Sequence, residues 1–278
     1  MSEEAEQLST AGATSLGWRS SGIVSLLTDF GLDDAYVGVM KAVMLAHNEG
    51  VRFVDLSHGV APQAVLQASW LLAHAWNRFP DGTTHLAVVD PGVGSDRRIL
   101  VAEDRGHAFL APDNGLLGPV LSEDARVFAL DVERFALPNT SRTFHGRDVF
   151  APAAAALAAG QAPEDLGESI DDWLHAGFPG PTLLEDGWST RVLYADRFGN
   201  LITPLILPAA ALEGASWQAR IGRCDAPLVE TYADAASGAL LALLGSCGSL
   251  EVSQRDGDAR AALGAKVGDE VTLRKTTR

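Results

Sequence analysis

Three short apolar runs constrain the fold most strongly. Each is closed by a polar or acidic residue, and helical patterns separate them. The first spans 22–28 and is followed by Asp29; the second spans 52–56 and is followed by Ser57 and His58; the third spans 85–89 and is followed by Asp90. Between the first two, 34–48 places Val37, Met40, Val43 and Met44 near helical spacing, with Asp34 near its start. Residues 62–79 predict a second helix with Pro62 close to its first position. Short runs that are apolar throughout suit strands buried on both faces, as in a parallel sheet. The pattern therefore predicts a βαβαβ unit with right-handed crossovers. Ligands of such sheets sit beyond the carboxyl ends of the strands, where Asp29, His58 and Asp90 fall.

Strand-like pieces follow at 99–103 and 107–110, then a turn signal at Pro112-Asp113-Asn114-Gly115 and a helix over 149–159. From Ser189 onward the pattern is all-β, with strands predicted at 190–195, 201–207, 217–221, 240–244, 250–253 and 270–274. The chain is thus expected to combine an α/β domain over 21–160, built on a mostly parallel sheet, with a smaller all-β domain over 188–278, a barrel or a sandwich. The Gly-, Pro- and Asp-rich stretch 161–187 is expected to be a linker. Residues 1–20, acidic and rich in Ser, Thr and Ala, are expected to be a mobile tail. They lack the basic start and apolar core of a secretory signal.

Composition narrows the partners. With 21 basic and 36 acidic residues among 278, the net charge is −15, which argues against a nucleic-acid or anionic-membrane binder. No run of about 18 apolar residues occurs, so no membrane span is expected. Two cysteines, Cys224 and Cys247, are too few for a disulfide framework and suit a reducing cytoplasm.

Five segments carry candidate chemistry. Asp29, Asp33 and Asp34 crowd one strand-to-helix junction. They suit a ribose diol and an ammonium group, or equally helix capping. In 90–98, Pro91 and two glycines shape a loop that can return Arg97 onto Asp90. Thr143-Phe144-His145-Gly146 leaves room around an imidazole. In Asp196-Arg197-Phe198-Gly199-Asn200, Gly-Asn signals a turn, while Asp, Phe and Asn could cup an amine and a base. Gly245-Ser246-Cys247-Gly248 reads as a hairpin of small residues. No His pair or Cys cluster has metal-ligand spacing, so no metal is expected.

In this order, TDFGxxDxYVGxMK (28–41), VVDPGVGxxRR (88–98), PDNGLL (112–117) and FHGRD (144–148) resemble the S-adenosyl-L-methionine hydroxide adenosyltransferase family. These adenosine-forming hydrolases are related to fluorinase and chlorinase. The resemblance spans about 23–273 and implies a homotrimer. S-adenosyl-L-methionine (SAM) would bind between the first domain of one subunit and the second domain of its neighbour. It also implies that Asp90, Arg97 and His145 are the water-activating triad and that Asp29 takes the ribose diol. Asp34, Asp196 and Ser246 would hold the methionine end, and Phe144, Phe198 and Asn200 would surround ribose and adenine. Gly146 stands where the halogenases carry a halide-binding serine. Gln63-Ala64 and Gln254-Arg255-Asp256 depart from the usual pattern.

The sulfonium of SAM leaves as a neutral thioether, so no cofactor is expected; SAM is the substrate. An in-line water is needed within about 3–3.5 Å of C5′. A base such as His145, oriented by Asp90 and Arg97, could take its proton, and which of the three does so stays open. Two other classes fit parts of the sequence. One is a metal-dependent hydrolase of a nucleotide or phosphoester, using Asp29, Asp55, His58, Asp90, Asn114 and His145. The other is a non-catalytic SAM or adenosine binder that needs only Asp29, Asp196 and Asn200.

Overall fold

The computed structural model describes residues 18–276, which divide into two compact units, 18–175 and 176–276. In the first, β1 (Ile23–Thr28), α1 (Tyr36–His47), β2 (Arg52–Ser57), α2 (Val65–Ala73) and β3 (Thr84–Val88) form the expected alternation. β4 (Ile99–Asp104), β5 (His107–Pro112), β6 (Arg126–Leu130), α3 (Val132–Phe135), α4 (Ala151–Ala158) and β7 (Gly167–Ser169) complete it. The seven-stranded sheet runs β2-β1-β3-β5-β4-β6-β7. β2, β1, β3 and β5 are mutually parallel, and β4, β6 and β7 join antiparallel to their neighbours.

Strand periodicity sorts the core into two layers. Val24, Leu26, Leu86, Val88, Val101 and Leu110 face the layer that holds Met40, Met44 and the small residues of α4. Leu27, Ala87, Val89, Leu100 and Phe109 face the other, with Ala68 and Leu72 of α2. Alanine lets α4 sit close to the sheet and to α1.

The second unit contains β8 (Thr182–Leu184), β9 (Gly187–Arg191), β10 (Tyr194–Ala195), β11 (Leu201–Ile206), β12 (Trp217–Ile221), β13 (Cys224–Pro227), β14 (Leu240–Leu244), β15 (Ser249–Gln254), α5 (Ala259–Leu263) and β16 (Glu270–Lys275). They form two antiparallel sheets, β10-β11-β15-β14 and β13-β12-β16-β9-β8, around one shared core. Of the two expected architectures, this is the sandwich.

Three expectations need correction. The stretch 161–187 holds the boundary between the units, at 175/176, but is not a linker throughout: β7 pairs with β6, Asp172 binds Arg98, and β8 already belongs to the second unit. Its Gly and Pro content reflects short edge strands and turns. The strand expected at 190–195 is two strands in different sheets, because the buried Val192 and Leu193 carry the chain from one to the other. The tail expected over 1–20 falls outside the described residues up to 17, but Trp18 packs on the first core and Ser20 Oγ donates to Ala158 O at 2.9 Å.

Candidate active site

The register of β1 and β3 places the site. Thr28 lies opposite Val88, so Asp29 and, one residue further along its own strand, Asp90 leave neighbouring strands at the carboxyl edge of the sheet. Asn114, just past β5, ties this edge down: its Nδ2 donates to Val89 O at 2.8 Å.

Beyond β3 the chain turns tightly, with Val93 N donating to Asp90 O at 3.2 Å and Ser95 N to Gly92 O at 3.1 Å. This turn folds Arg97 back onto Asp90. Arg97 Nε lies 2.9 Å from both Asp90 oxygens, and Nη2 also donates to Oδ2. Arg97 Nη2 reaches His145 Nδ1 at 3.1 Å. The side chains of Arg97 and Asp90 are 11% and 6% exposed, so water screens the pair little. Burial, then the charge of Arg97, holds the His145 imidazole below its ordinary pKa against the opposing pull of Asp90 and Asp148.

Two glycines set this geometry. Gly94 adopts φ +81°, and a Cβ there would lie 2.4 Å from Arg142 O, so the loop from β3 rests directly on the strap that leads to His145. Gly146 opens the widened turn Gly146–Phe150; a Cβ would meet Met40 Sδ at 3.2 Å and Phe30 Cε2 at 3.3 Å. Sequence patterning flagged both glycines as spacers but could not say which backbone or side chain they admit.

Asp29 follows β1, half-buried, with Oδ2 accepting from Gln63 N at 2.7 Å. Gln63 sits at φ 64°, a left-handed conformation that ends helical geometry, so α2 begins at Val65 and not at Pro62. The N–H that a helix start would leave idle orients the Asp29 carboxylate instead. Asp34 is exposed, and α1 has no side-chain cap, so capping does not account for the Asp33 and Asp34 carboxylates. Phe144 stands edge-on to Tyr36 (5.2 Å between ring centres) and Phe30 (6.0 Å), a small aromatic wall beside Gly146.

The residues of the metal-dependent alternative are not assembled. Lys41 Nζ donates to Asp55 Oδ2 at 2.7 Å, His58 Nδ1 pairs with Thr28 Oγ1 at 2.8 Å, and His58 Nε2 lies 3.1 Å from Asp55 Oδ1. Burial raises the Asp55 pKa, but the bonds from Lys41 and His58 outweigh it and leave it lowered. These groups brace the Asp29 loop, where Gly31 N donates to His58 O at 2.8 Å. Among the described residues no three His, Cys, Asp or Glu side chains converge as metal ligands.

In the second unit, Asp196 Oδ1 accepts from Phe198 N (2.8 Å) and Asn200 N (2.9 Å), and Oδ2 accepts from Asn200 Nδ2 (2.9 Å). Asn200 Nδ2 also reaches Tyr232 OH at 3.5 Å, so both N–H groups are directed to protein partners and the carbonyl is the acceptor end of the amide. Phe198, at the turn, is 74% exposed. Ser246 is exposed in the β14–β15 turn, beside Cys247. Two neighbours complete this end: Tyr232, which no sequence pattern singled out, and Glu251, which patterning placed only at the close of the small-residue hairpin. Tyr232 OH donates to Glu251 Oε2 at 3.2 Å, and burial, then nearby Asp196, raises the Glu251 pKa.

Two family models match almost end to end: the SAM hydroxide adenosyltransferase N-terminal domain over residues 24–167 and its C-terminal domain over 190–272. The chain belongs to the SAM hydroxide adenosyltransferase family. Within it, the chain is 43% identical to the (R)-S-adenosyl-L-methionine hydrolase of Thermus thermophilus over 90% of this chain and 98% of that one. It is 34% identical to the hydrolase of the same name from Salinispora tropica, over 90% and 97%. A solved structure of a conserved Thermotoga maritima protein superposes with TM-score 0.82 at 34% identity, covering 90% of this chain and 99% of that one. The motifs that carry the family resemblance are the same segments that build the edge beyond β1, β3 and β5.

Proposed function

We propose that this protein hydrolyses SAM at C5′ to adenosine and L-methionine. The observation that carries the reading is the half-buried Asp90–Arg97–His145 array one strand away from the Asp29 carboxylate. An array of a carboxylate, a fixed cation and an imidazole suits holding and polarising one water. Asp29, with Oδ2 engaged by Gln63 N, keeps Oδ1 for a diol. The sulfonium departs without acid assistance, so the chemistry calls for no cofactor. Asp34, Asp196 and Ser246 take the methionine end; Phe144, Phe198 and the Asn200 carbonyl take ribose and adenine.

The active assembly in this reading is a homotrimer whose sites are shared between neighbouring subunits. Asp29, Asp34 and Phe144 lie on the first unit, and Asp196, Phe198, Asn200 and Ser246 on the second. The loops that present them expose large apolar tips in the single chain, Leu32 at 75% and Phe198 at 74%, as surfaces awaiting cover do. A head-to-tail ring of three closes on itself. The cytoplasm is the proposed compartment, since Cys224 and Cys247 are free, exposed thiols. Among the described residues no helix is long and apolar enough to cross a membrane.

Incubation with SAM in ¹⁸O-water tests the activity. The expected products are methionine and adenosine with the label in its 5′-oxygen. Adenosine without label, or no adenosine, refutes attack by water at C5′.

A further inference from the structure

We infer that His145 serves the attacking water as a hydrogen-bond donor through Nε2, and that the water's proton leaves to Asp90. The inference rests on the hydrolytic reading above and assigns roles within it. It begins from valence. A guanidinium has N–H donors and no lone pair to offer. Arg97 Nη2 lies 3.1 Å from His145 Nδ1, so Nδ1 supplies the lone pair. A neutral imidazole with a bare Nδ1 carries its hydrogen on Nε2, and both ring nitrogens are then committed. Protonating Nδ1 would set one N–H against another beside a fixed positive charge. Burial opposes the imidazolium as well.

The acceptor left in the array is Asp90. Its Oδ2 takes bonds from Arg97 Nε and Nη2, whereas Oδ1 takes only one, from Nε. A carboxylate offers about four lone-pair positions, so Oδ1 keeps one open. Asp148, the other carboxylate acting on His145, is occupied by Arg147 and by Ser141 N.

The step then balances. The water oxygen attacks C5′ opposite sulfur, the C5′–S bond breaks, and its electron pair stays on sulfur as the neutral thioether of methionine. One water proton passes to Asp90 Oδ1 and on to solvent; the other remains on the 5′-hydroxyl of adenosine. As the oxygen gains hydroxide character, His145 Nε2–H and the Arg97 charge stabilise it.

Three substitutions at His145 separate donor from base. Glutamine can accept from Arg97 and still place an N–H near the Nε2 position; asparagine can keep only the Arg97 contact; alanine keeps neither. None of the three is a base at neutral pH. The expected kcat loss is about 10²–10³-fold for His145→Ala and His145→Asn. His145→Gln is expected to rescue the rate to within about tenfold of the parent. A second signature is pH. Asp90→Asn lacks the proton acceptor, so its rate rises about tenfold per pH unit as hydroxide replaces water, while His145→Ala shows no such rise. The charged groups acting on His145 are Arg97, Asp90 and Asp148, and Arg147 holds the Asp148 pKa low. SAM binding by calorimetry and thermal unfolding establish that each variant is folded. His145→Gln as slow as His145→Ala while still binding SAM overturns the inference. So does hydroxide rescue of His145→Ala but not of Asp90→Asn. Failure of the parent enzyme to form ¹⁸O-labelled adenosine would instead overturn the hydrolytic reading.

Discussion

A buried histidine pair remote from the catalytic array makes the first unit sensitive to acid. His85 on β3 is fully buried; its Nδ1 pairs with Ser25 Oγ at 2.7 Å and its Nε2 with His107 Nδ1 at 3.1 Å. It stacks on Phe109 at 5.0 Å, and Phe79 meets it edge-on at 5.2 Å. Burial, then the charge of His107, pushes the His85 pKa from 6.5 down to about 3. The unfolded chain takes up this proton below pH 6.5 and the folded chain does not, so stability is complete above pH 6.5 and falls as pH drops toward 3. At about 1.36 kcal/mol per pH unit, the loss is roughly 2 kcal/mol at pH 5 and roughly 3 at pH 4. The perturbation is His85→Gln, which cannot titrate. It also disturbs packing, but that cost is the same at every pH and cancels in a difference. Urea unfolding at pH 7.5 and 5.0, at fixed protein concentration, measures that difference for both proteins. The drop between the two pH values is expected to be smaller in His85→Gln by about 2 kcal/mol. Paired carboxylates such as Asp55 and Asp148 contribute equally to both and drop out. Equal drops in the two proteins would falsify the buried, neutral state of His85.

Four further outcomes follow from the site. Gly146→Ser presses a Cβ against Met40 and Phe30, so it is expected to lower stability by about 1–3 kcal/mol. Neither it nor the parent should form 5′-chloro-5′-deoxyadenosine at high chloride, because the Asp90 carboxylate opposes a second anion; chromatographic detection at a rate near that of adenosine refutes this. Gly94→Ala places a methyl 2.4 Å from Arg142 O and strains φ +81°, so kcat should fall at least tenfold with SAM affinity little changed; an unaltered kcat shows that the loop does not set His145. Mixing inactive Asp90→Ala with inactive Asp196→Ala should regain part of the activity once subunits exchange, since some interfaces then pair two intact halves. No regain after exchange is verified by mass spectrometry, or a monomer that turns over SAM, contradicts a shared site.

Much of this protein was legible in its residues because the signals are local. Alternating apolar runs and helical spacing mark β1 through β3, and the polar residues that close those runs mark the edge where Asp29 and Asp90 emerge. Motif spacing likewise brought Arg97 within reach of Asp90, since seven residues with two glycines leave little choice of turn. Other features depend on contacts between segments far apart in the chain. Gln63 looked like the first turn of a helix, but its N–H is drawn to Asp29, thirty-four residues earlier, and the helix starts later for that reason. The stretch 161–187 looked like a linker because strands of three residues carry too few side chains to show a period; pairing with β6 and β9 makes them strands. Asn200 could offer either end of its amide until Asp196 Oδ2 and Tyr232 OH drew its two N–H groups. His145 is the sharpest case. Its residue type permits a base, an acid or a donor, and the sequence is equally consistent with each. Only the approach of Arg97 Nη2 to Nδ1 decides among them, because a guanidinium can give a hydrogen bond and cannot take one.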